Sequence, residues 1–398
     1  MRILFLEPCP HGVGGYYRGY HTAAALAADG HRVTMFYFGS RSRRPWSRRR
    51  EGPHLTLIEL PTLGGARLSK AVRACLTAGI AAFWPRDILH VFTAVHPENA
   101  AAILACRLLF RRYILDWDDF WQDTEMFRHG SRRVRWYLRT AEERGARGAA
   151  AVTAASDFLF GAARRLGCRR VHKLPNGCAA GYVRAVPREE ARHRLGLPPD
   201  RLVLFAFGNG FPHGRAVLIL ECVSRLARTF PDLEVLTNVV PEVHLWESAR
   251  ADSPPALTPE LRARFRGVGH IPDADIGVYV AAADFALFLV ADVPAERACS
   301  PIRVTAYLGG GCPIATTDVP TEARRLVADF GAGVIGPDPA AIAAAIAAAW
   351  RDPGRMAAMK AGARAACASL AYDRIARDLA AFYEGVAQRP PDGVSSPR

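Results

Sequence analysis

An α/β fold built from two parallel-sheet units is predicted by three observations. Apolar runs of strand length alternate with helical runs along most of the chain, which favours parallel sheets with helices on both faces. A polar interval rich in Pro and Arg, VRAVPREEARHRLGLPPDR (183–201), breaks that alternation near its middle. At 398 residues the chain is also too long for one ordinary core. Two Rossmann-like halves of similar size are expected, with their strand carboxyl ends and helix N-termini converging on a cleft.

The first series opens with MRILFLE as a strand, followed by a glycine loop, HGVGGYYRGY. A helix runs through HTAAALAADG to Gly30, and HRVTMFYF is the next strand. Gly39 to Pro53 is basic and has no apolar period, so it reads as a loop. LTLIELP and DILHVFT are strands, LSKAVRACLTAGIAAF and ENAAAILACRLLF helices. RYILDWDDFW is a strand entering an acidic turn. RVRWYLRTAEERGARGA (helix), AAVTAAS (strand), DFLFGAARRLG (helix) and VHKLPNG (strand and turn) close the series.

The second series starts at RLVLFAFGNG, a strand with a glycine turn, and the helix RAVLILECVSRLARTF. LEVLTNVV, DFALFLV, CPIATTD and AGVIGP supply further strands, and PAAIAAAIAAAWRD a helix. Two more helices occupy Arg355 to Gly385. The domain expectation is therefore 1–184 and 185–370, with a helix over 371–387 returning to the first domain. The tail 388–398 is expected to be disordered.

Net charge is +14 with a pI near 9.8, carried almost wholly by Arg. Two sources stand open: a compositional bias, and an anionic partner such as phosphate or an acidic lipid surface. No nucleic-acid motif accompanies the charge, so nucleic acid is not expected as a partner. The nine cysteines are scattered, without a C-x-x-C, which argues against a disulfide framework and a zinc site. No apolar run reaches the roughly 18 residues of a membrane span. MRILFL reads as a buried strand and not a signal peptide; a cytoplasmic protein is expected.

The stretch that carries most chemistry is Ala295 to Ile314, AERACSPIRVTAYLGGGCPI. A strand feeding a Ser-Pro turn and then a helix start points backbone N–H groups at an anion. A second candidate is the acidic turn with Asp116, Asp118 and Asp119, where Asp118 is the favoured functional carboxylate and no further residues suggest a metal pair. His96 follows another strand and is read as structural.

Four segments in order resemble the retaining GT-B glycosyltransferases of family 4. They are GVGGYYRGYHTAAALAADGHRV, YILDWDDFW, AAVTAASDFLFGAARRLG with VHKLPNGC, and DFALFLVADVPAERACSPIRVTAYLGGGCPIATTD. The resemblance covers about Met1 to Pro337. It implies a sugar moved from a nucleotide diphosphate sugar to an acceptor hydroxyl with retained configuration, and no metal or other cofactor. The first domain would bind the acceptor and the second the donor.

Carried over residue by residue, Gly14, Gly15 and Arg18 match the loop near the phosphates or acceptor. Ser300, Pro301, Ile302 and Arg303 match the diphosphate turn, with Arg303 where the subgroup has Lys. Asn176 and Gly177 match a turn near the cleft. The resemblance departs at Ala298 and Ala306, where it implies a pair of Glu; Glu296 is the nearest substitute for the first. It departs again at Asn209 and His213, near an expected Arg and Lys; Arg215 is the candidate replacement cation, and His213, when protonated, a further candidate donor-binding group. Loss of those groups leaves open a second reading, a non-catalytic GT-B protein. The Arg clusters at 41–50 and 128–139, with Trp46, Trp136 and Tyr137, also suggest peripheral contact with anionic lipid at the inner face of a membrane.

Overall fold

A computed structural model describes residues 1–12, 14–39, 46–61, 66–179, 186–208, 214–238, 257–272 and 274–388. The chain divides into two compact units, Met1–Pro175 with Tyr372–Arg398, and Asn176–Ala371. The sequence expectation of a tail beyond Gln388 falls outside the described residues.

The first unit's strands are β1 (Arg2–Leu6), β2 (Arg32–Phe38), β3 (Ser47–Glu51), β4 (Leu55–Leu60), β5 (Ile88–Phe92), β6 (Ile114–Trp117), β7 (Ala151–Ala154) and β8 (Val171–Lys173). Their order is β3-β4-β2-β1-β5-β6-β7-β8. All neighbours are parallel except β3 and β4. Central strands such as β5 and β6 are buried along their whole length, as apolar strands covered by helices on both faces must be. The order reverses between β1 and β5, the place in an open parallel sheet where the loops leaving neighbouring strands turn to opposite faces.

Two expectations are corrected here. Ser47–Glu51, read as loop, is the antiparallel edge strand β3. Its outward arginines give no apolar alternation because an edge strand need not be buried, and charge there discourages pairing with other chains. The glycine loop is largely helix, running Gly14–Ala28. A Cβ on Gly15 would lie 2.6 Å from Cys9 Sγ, and one on Gly19 2.9 Å from Glu7 Oε2. Glycine here lets the helix lie against the exit of β1.

The last helix, Tyr372–Ala387, belongs to this unit. Ile375, Leu379 and Tyr383 share its core with Ile3, Phe5 and Ile114.

The second unit contains β9 (Val203–Ala206), β10 (Glu234–Thr237), β11 (Phe265–Gly267), β12 (Phe285–Phe288), β13 (Ile314–Thr317) and β14 (Gly333–Gly336). They are parallel in the order β11-β10-β9-β12-β13-β14, with the reversal between β9 and β12. The polar interval that suggested a break holds the helix Arg188–Leu195. Arg192 on it is buried and binds Asp284 Oδ2 at 2.6 Å; Asp284 also accepts from Val203 N at 2.9 Å. A buried ion pair thus ties a polar-looking segment to the start of the sheet.

Candidate functional site

In the second unit the strand-order reversal brings together the segments after β9 and β12. Phe207 and Gly208 leave β9, and Arg303 Nη1 donates to Phe207 O at 3.0 Å. A Cβ on Gly208 would stand 1.9 Å from that Nη1, so the glycine is what lets the guanidinium cross the strand end. Tyr307, one turn further along, accepts from Phe207 N at 3.1 Å and donates to Phe207 O at 3.2 Å. Asn238, just past β10, clamps Gly208 through both its N–H and its C=O, at 2.9 and 2.8 Å. The turn is therefore held on three sides.

Ser300 and Pro301 lead into the helix Ile302–Gly309, with Pro301 in an extended conformation before the first turn. The first amides of such a helix have no carbonyl of their own, and the helix dipole adds partial positive charge. Asn176 Nδ2 donates to Ser300 O and fixes the turn from behind. Arg303 is half-buried; burial and then Arg215 push its guanidinium pKa down. Its hydrogen bond goes to a carbonyl, not a carboxylate. Cation and helix start together make a site suited to an anion.

Arg215 and Glu296, expected as two separate donor groups, are each other's partner. Arg215 Nε lies 2.7 Å from Glu296 Oε1, and Nη2 bonds Oε2. Both side chains are buried, with the guanidinium over the Phe288 ring at 5.1 Å. Their charges offset one another. Ala298 and Ala306 are buried methyls. Asn209 and His213 lie outside the described residues.

In the first unit, three residues follow adjacent strands at the reversal: Glu7 after β1, Thr93 after β5 and Asp118 after β6. Thr93 Oγ1 donates to Asp118 Oδ1 at 2.7 Å, from a backbone with φ of +55°. A β-branched residue in that region is strained, a condition that concentrates at functional sites. Burial, then Asp119 and Asp116, raise the Asp118 pKa to about 7. Asp119 is exposed. Glu7 is buried, accepts from Cys9 N at 3.0 Å and has its pKa raised to about 8, chiefly by burial.

Gly14 opens the first helix beside open space, and nothing stands within 4 Å of where its Cβ would be. Arg18 is enclosed. It donates to both Asp116 oxygens at 2.7 and 2.8 Å, and to Leu174 O at 2.7 Å. His96 occupies the N-cap position of the helix Pro97–Leu108 without a side-chain cap hydrogen bond, its ring edge-on to Trp121.

Asp116 is the hub of a buried chain. Thr153 Oγ1 donates to Asp116 Oδ1 at 2.6 Å, so its oxygen accepts from His90 Nε2 at 2.9 Å. His90 Nδ1 then accepts from Tyr383 O–H at 2.6 Å. One neutral tautomer satisfies every bond, and burial lowers the His90 pKa to about 4. Glu142 supports the acidic turn by accepting from Trp117 Nε1 at 3.1 Å and Trp121 N at 2.8 Å. Sequence reasoning missed Thr93, Glu142, His90 and Glu7. No local pattern marks them, because each acts through a neighbour distant in the chain.

Residues 14–177 match the family model described as a glycosyl transferase 4-like domain. D-inositol 3-phosphate glycosyltransferase 1 of Catenulispora acidiphila is 30% identical over 256 residues, 58% of this chain and 56% of that protein. The chain thus spans a little over half the length of that curated relative. The sucrose-phosphate synthase structure from Thermosynechococcus elongatus superposes with a TM-score of 0.73 at 18% identity, covering 97% of this chain and 99% of that one. Anabaena HepE, solved with UDP-glucose, superposes at 0.69 and 17% identity, over 97% and 100%. The fold is GT-B. The Arg18–Asp116 network and the Thr93–Asp118 pair fall within the matched residues 14–177, and the Arg303 turn lies in the second unit.

Proposed function

We propose that this chain is a glycosyltransferase that moves a sugar from a nucleoside diphosphate sugar to an acceptor hydroxyl with retention, in making an envelope glycan, glycolipid or natural product. The observation that carries the reading is Arg303 lying across Gly208 beside the start of the helix Ile302–Gly309. A guanidinium and a helix start at a strand-order reversal suit a diphosphate, whose departure leaves charge that they stabilise. HepE, a structural neighbour, is solved with UDP-glucose, which supports a donor of that class. Ser300, Pro301 and Ile302 would present the backbone of this turn. Arg215 and Glu296 would hold its scaffold, and Asp118 of the first unit would orient the acceptor hydroxyl. The reading calls on no metal or other cofactor.

The buried methyls of Ala298 and Ala306 favour a second reading, in which a nucleotide sugar is bound but not transferred. Calorimetric titration with UDP-, GDP- and TDP-sugars, followed by a donor-consumption assay with mixed acceptors, separates the two. Binding with turnover supports transfer, binding without turnover supports the second reading, and no binding of any donor defeats both.

A further inference from the structure

Among the described residues, seven of the ten large hydrophobic side chains that stand exposed lie on two neighbouring helices and their exits. The helices are Ala66–Phe83 and Pro97–Leu108 of the first unit, which pack side by side. The Cys106 thiol meets Ala81 O at 3.9 Å, which sets the two exits next to one another. Leu68 stands near the start of the first helix, and Phe83, Trp84, Leu104, Leu108, Leu109 and Phe110 gather towards the exits, with Phe83 81% and Phe110 94% exposed. Single exposed hydrophobics are ordinary; a contiguous group of them marks an interaction surface.

Phe110 adds a second, independent observation. Its φ is +52°, and Arg111 N donates to Cys106 O at 2.7 Å while Phe110 N donates to Arg107 O at 3.3 Å. This left-handed helix ending is one that glycine adopts freely and a bulky residue only against steric resistance. The phenylalanine there is 94% exposed, so packing within its own unit does not offset that resistance.

The charge around the face selects the partner. Residues 66–86 and 99–115 contain no Asp or Glu, while Lys70, Arg86, Arg107, Arg111 and Arg112 lie within them. Arg107 and Arg111 are exposed and bracket the Leu108–Phe110 tip. Two copies meeting through this face would oppose like charges. A bilayer with anionic headgroups satisfies both features, since aromatic and leucine side chains enter the acyl boundary while arginines stay at the phosphates.

We propose that this helix-pair face, led by Phe110, docks the protein on an anionic lipid bilayer. The surface differs from the one the sequence suggested. Trp136 is exposed, but Tyr137 donates to Val95 O at 2.9 Å and is half-buried. No helix among the described residues is long and apolar enough to cross a membrane, so the contact is with the bilayer surface.

The full chain is sedimented with vesicles of phosphatidylcholine alone and of phosphatidylcholine with phosphatidylglycerol. Binding is expected to the second, weakening as salt is raised. Phe110→Gly relieves the backbone, so its thermal midpoint stays equal or rises while vesicle affinity falls about tenfold. Arg107→Gln with Arg111→Gln weakens binding to anionic vesicles, and Trp136→Ser leaves it unchanged. The proposal is overturned by absence of binding, by full affinity in Phe110→Gly, or by loss at Trp136→Ser instead. A concentration-dependent dimer that disappears in Phe110→Gly also overturns it, since the face would then belong to a second copy.

Discussion

Thr93 donates its hydroxyl to Asp118 across two adjacent strand ends, at 2.7 Å, from a left-handed backbone. That bond favours the ionised carboxylate, while burial, Asp119 and Asp116 oppose ionisation and bring the pKa to about 7. If ionised Asp118 orients the acceptor, the transfer rate falls as pH drops below about 7. Thr93→Val removes the donor, so the acid limb of the kcat/KM profile should move to higher pH, while Thr93→Ser restores it. An unmoved limb in Thr93→Val would remove Asp118 from the reaction.

Gly208 and Arg303 make a sharper test of the donor site. Arg303→Ala deletes a charged hydrogen-bonding group, worth about 1.5–3 kcal/mol to a ligand anion, or a ten- to hundredfold loss of affinity. Gly208→Ala should do the same without touching the charge, because its methyl would occupy the place of Nη1, 1.9 Å away. Titration of each variant with UDP-glucose checks both. Equal loss in both, with unchanged circular dichroism, places the guanidinium at the ligand; wild-type affinity in Arg303→Ala refutes the assignment.

Much of the architecture was legible because parallel strands buried on both faces leave continuous apolar runs such as DFALFLV, each bounded by a turn. Edge strand β3 was not, since its arginines follow no apolar period. The Arg188–Leu195 helix was hidden for a related reason. Its anchoring residue, Arg192, is polar by composition and buried only because Asp284, 92 residues on, completes the pair. At the candidate site, the Ser300–Arg303 turn could be read as a local motif. The pairing of Arg215 with Glu296 could not, because spacing along a chain says nothing of which charges neutralise each other in space.

That pairing predicts a non-additive stability cycle. Removing one partner leaves a buried charge uncompensated, so Arg215→Met or Glu296→Leu alone should cost about 3–5 kcal/mol. The double variant should recover most of that loss. Urea unfolding of the four proteins measures the coupling, and additive losses would show that the two groups act independently.

His90 and Glu7 should shape the stability of the protein against pH from opposite sides. The folded His90 pKa is lowered to about 4 from 6.5, since burial and the Tyr383–Thr153 bonds fit the neutral ring. Its contribution is complete above pH 6.5 and is lost as pH falls towards 4, on the order of 3 kcal/mol in all. Glu7 is shifted upward to about 8 from 4.5, chiefly by burial. A raised carboxyl pKa means the fold holds the proton more tightly than the open chain. That contribution is therefore complete below pH 4.5 and declines as pH rises through 8. The two windows overlap from pH 4.5 to 6.5, where the opposing slopes offset, so stability should be level there, falling below about pH 4.5 and again between pH 6.5 and 8. His90→Asn should flatten the acid side and Glu7→Gln the alkaline side, each leaving the other limb in place, as followed by urea midpoints from pH 4 to pH 9. Were Glu7→Gln to leave the alkaline limb intact, the buried carboxyl would not be the group that titrates there.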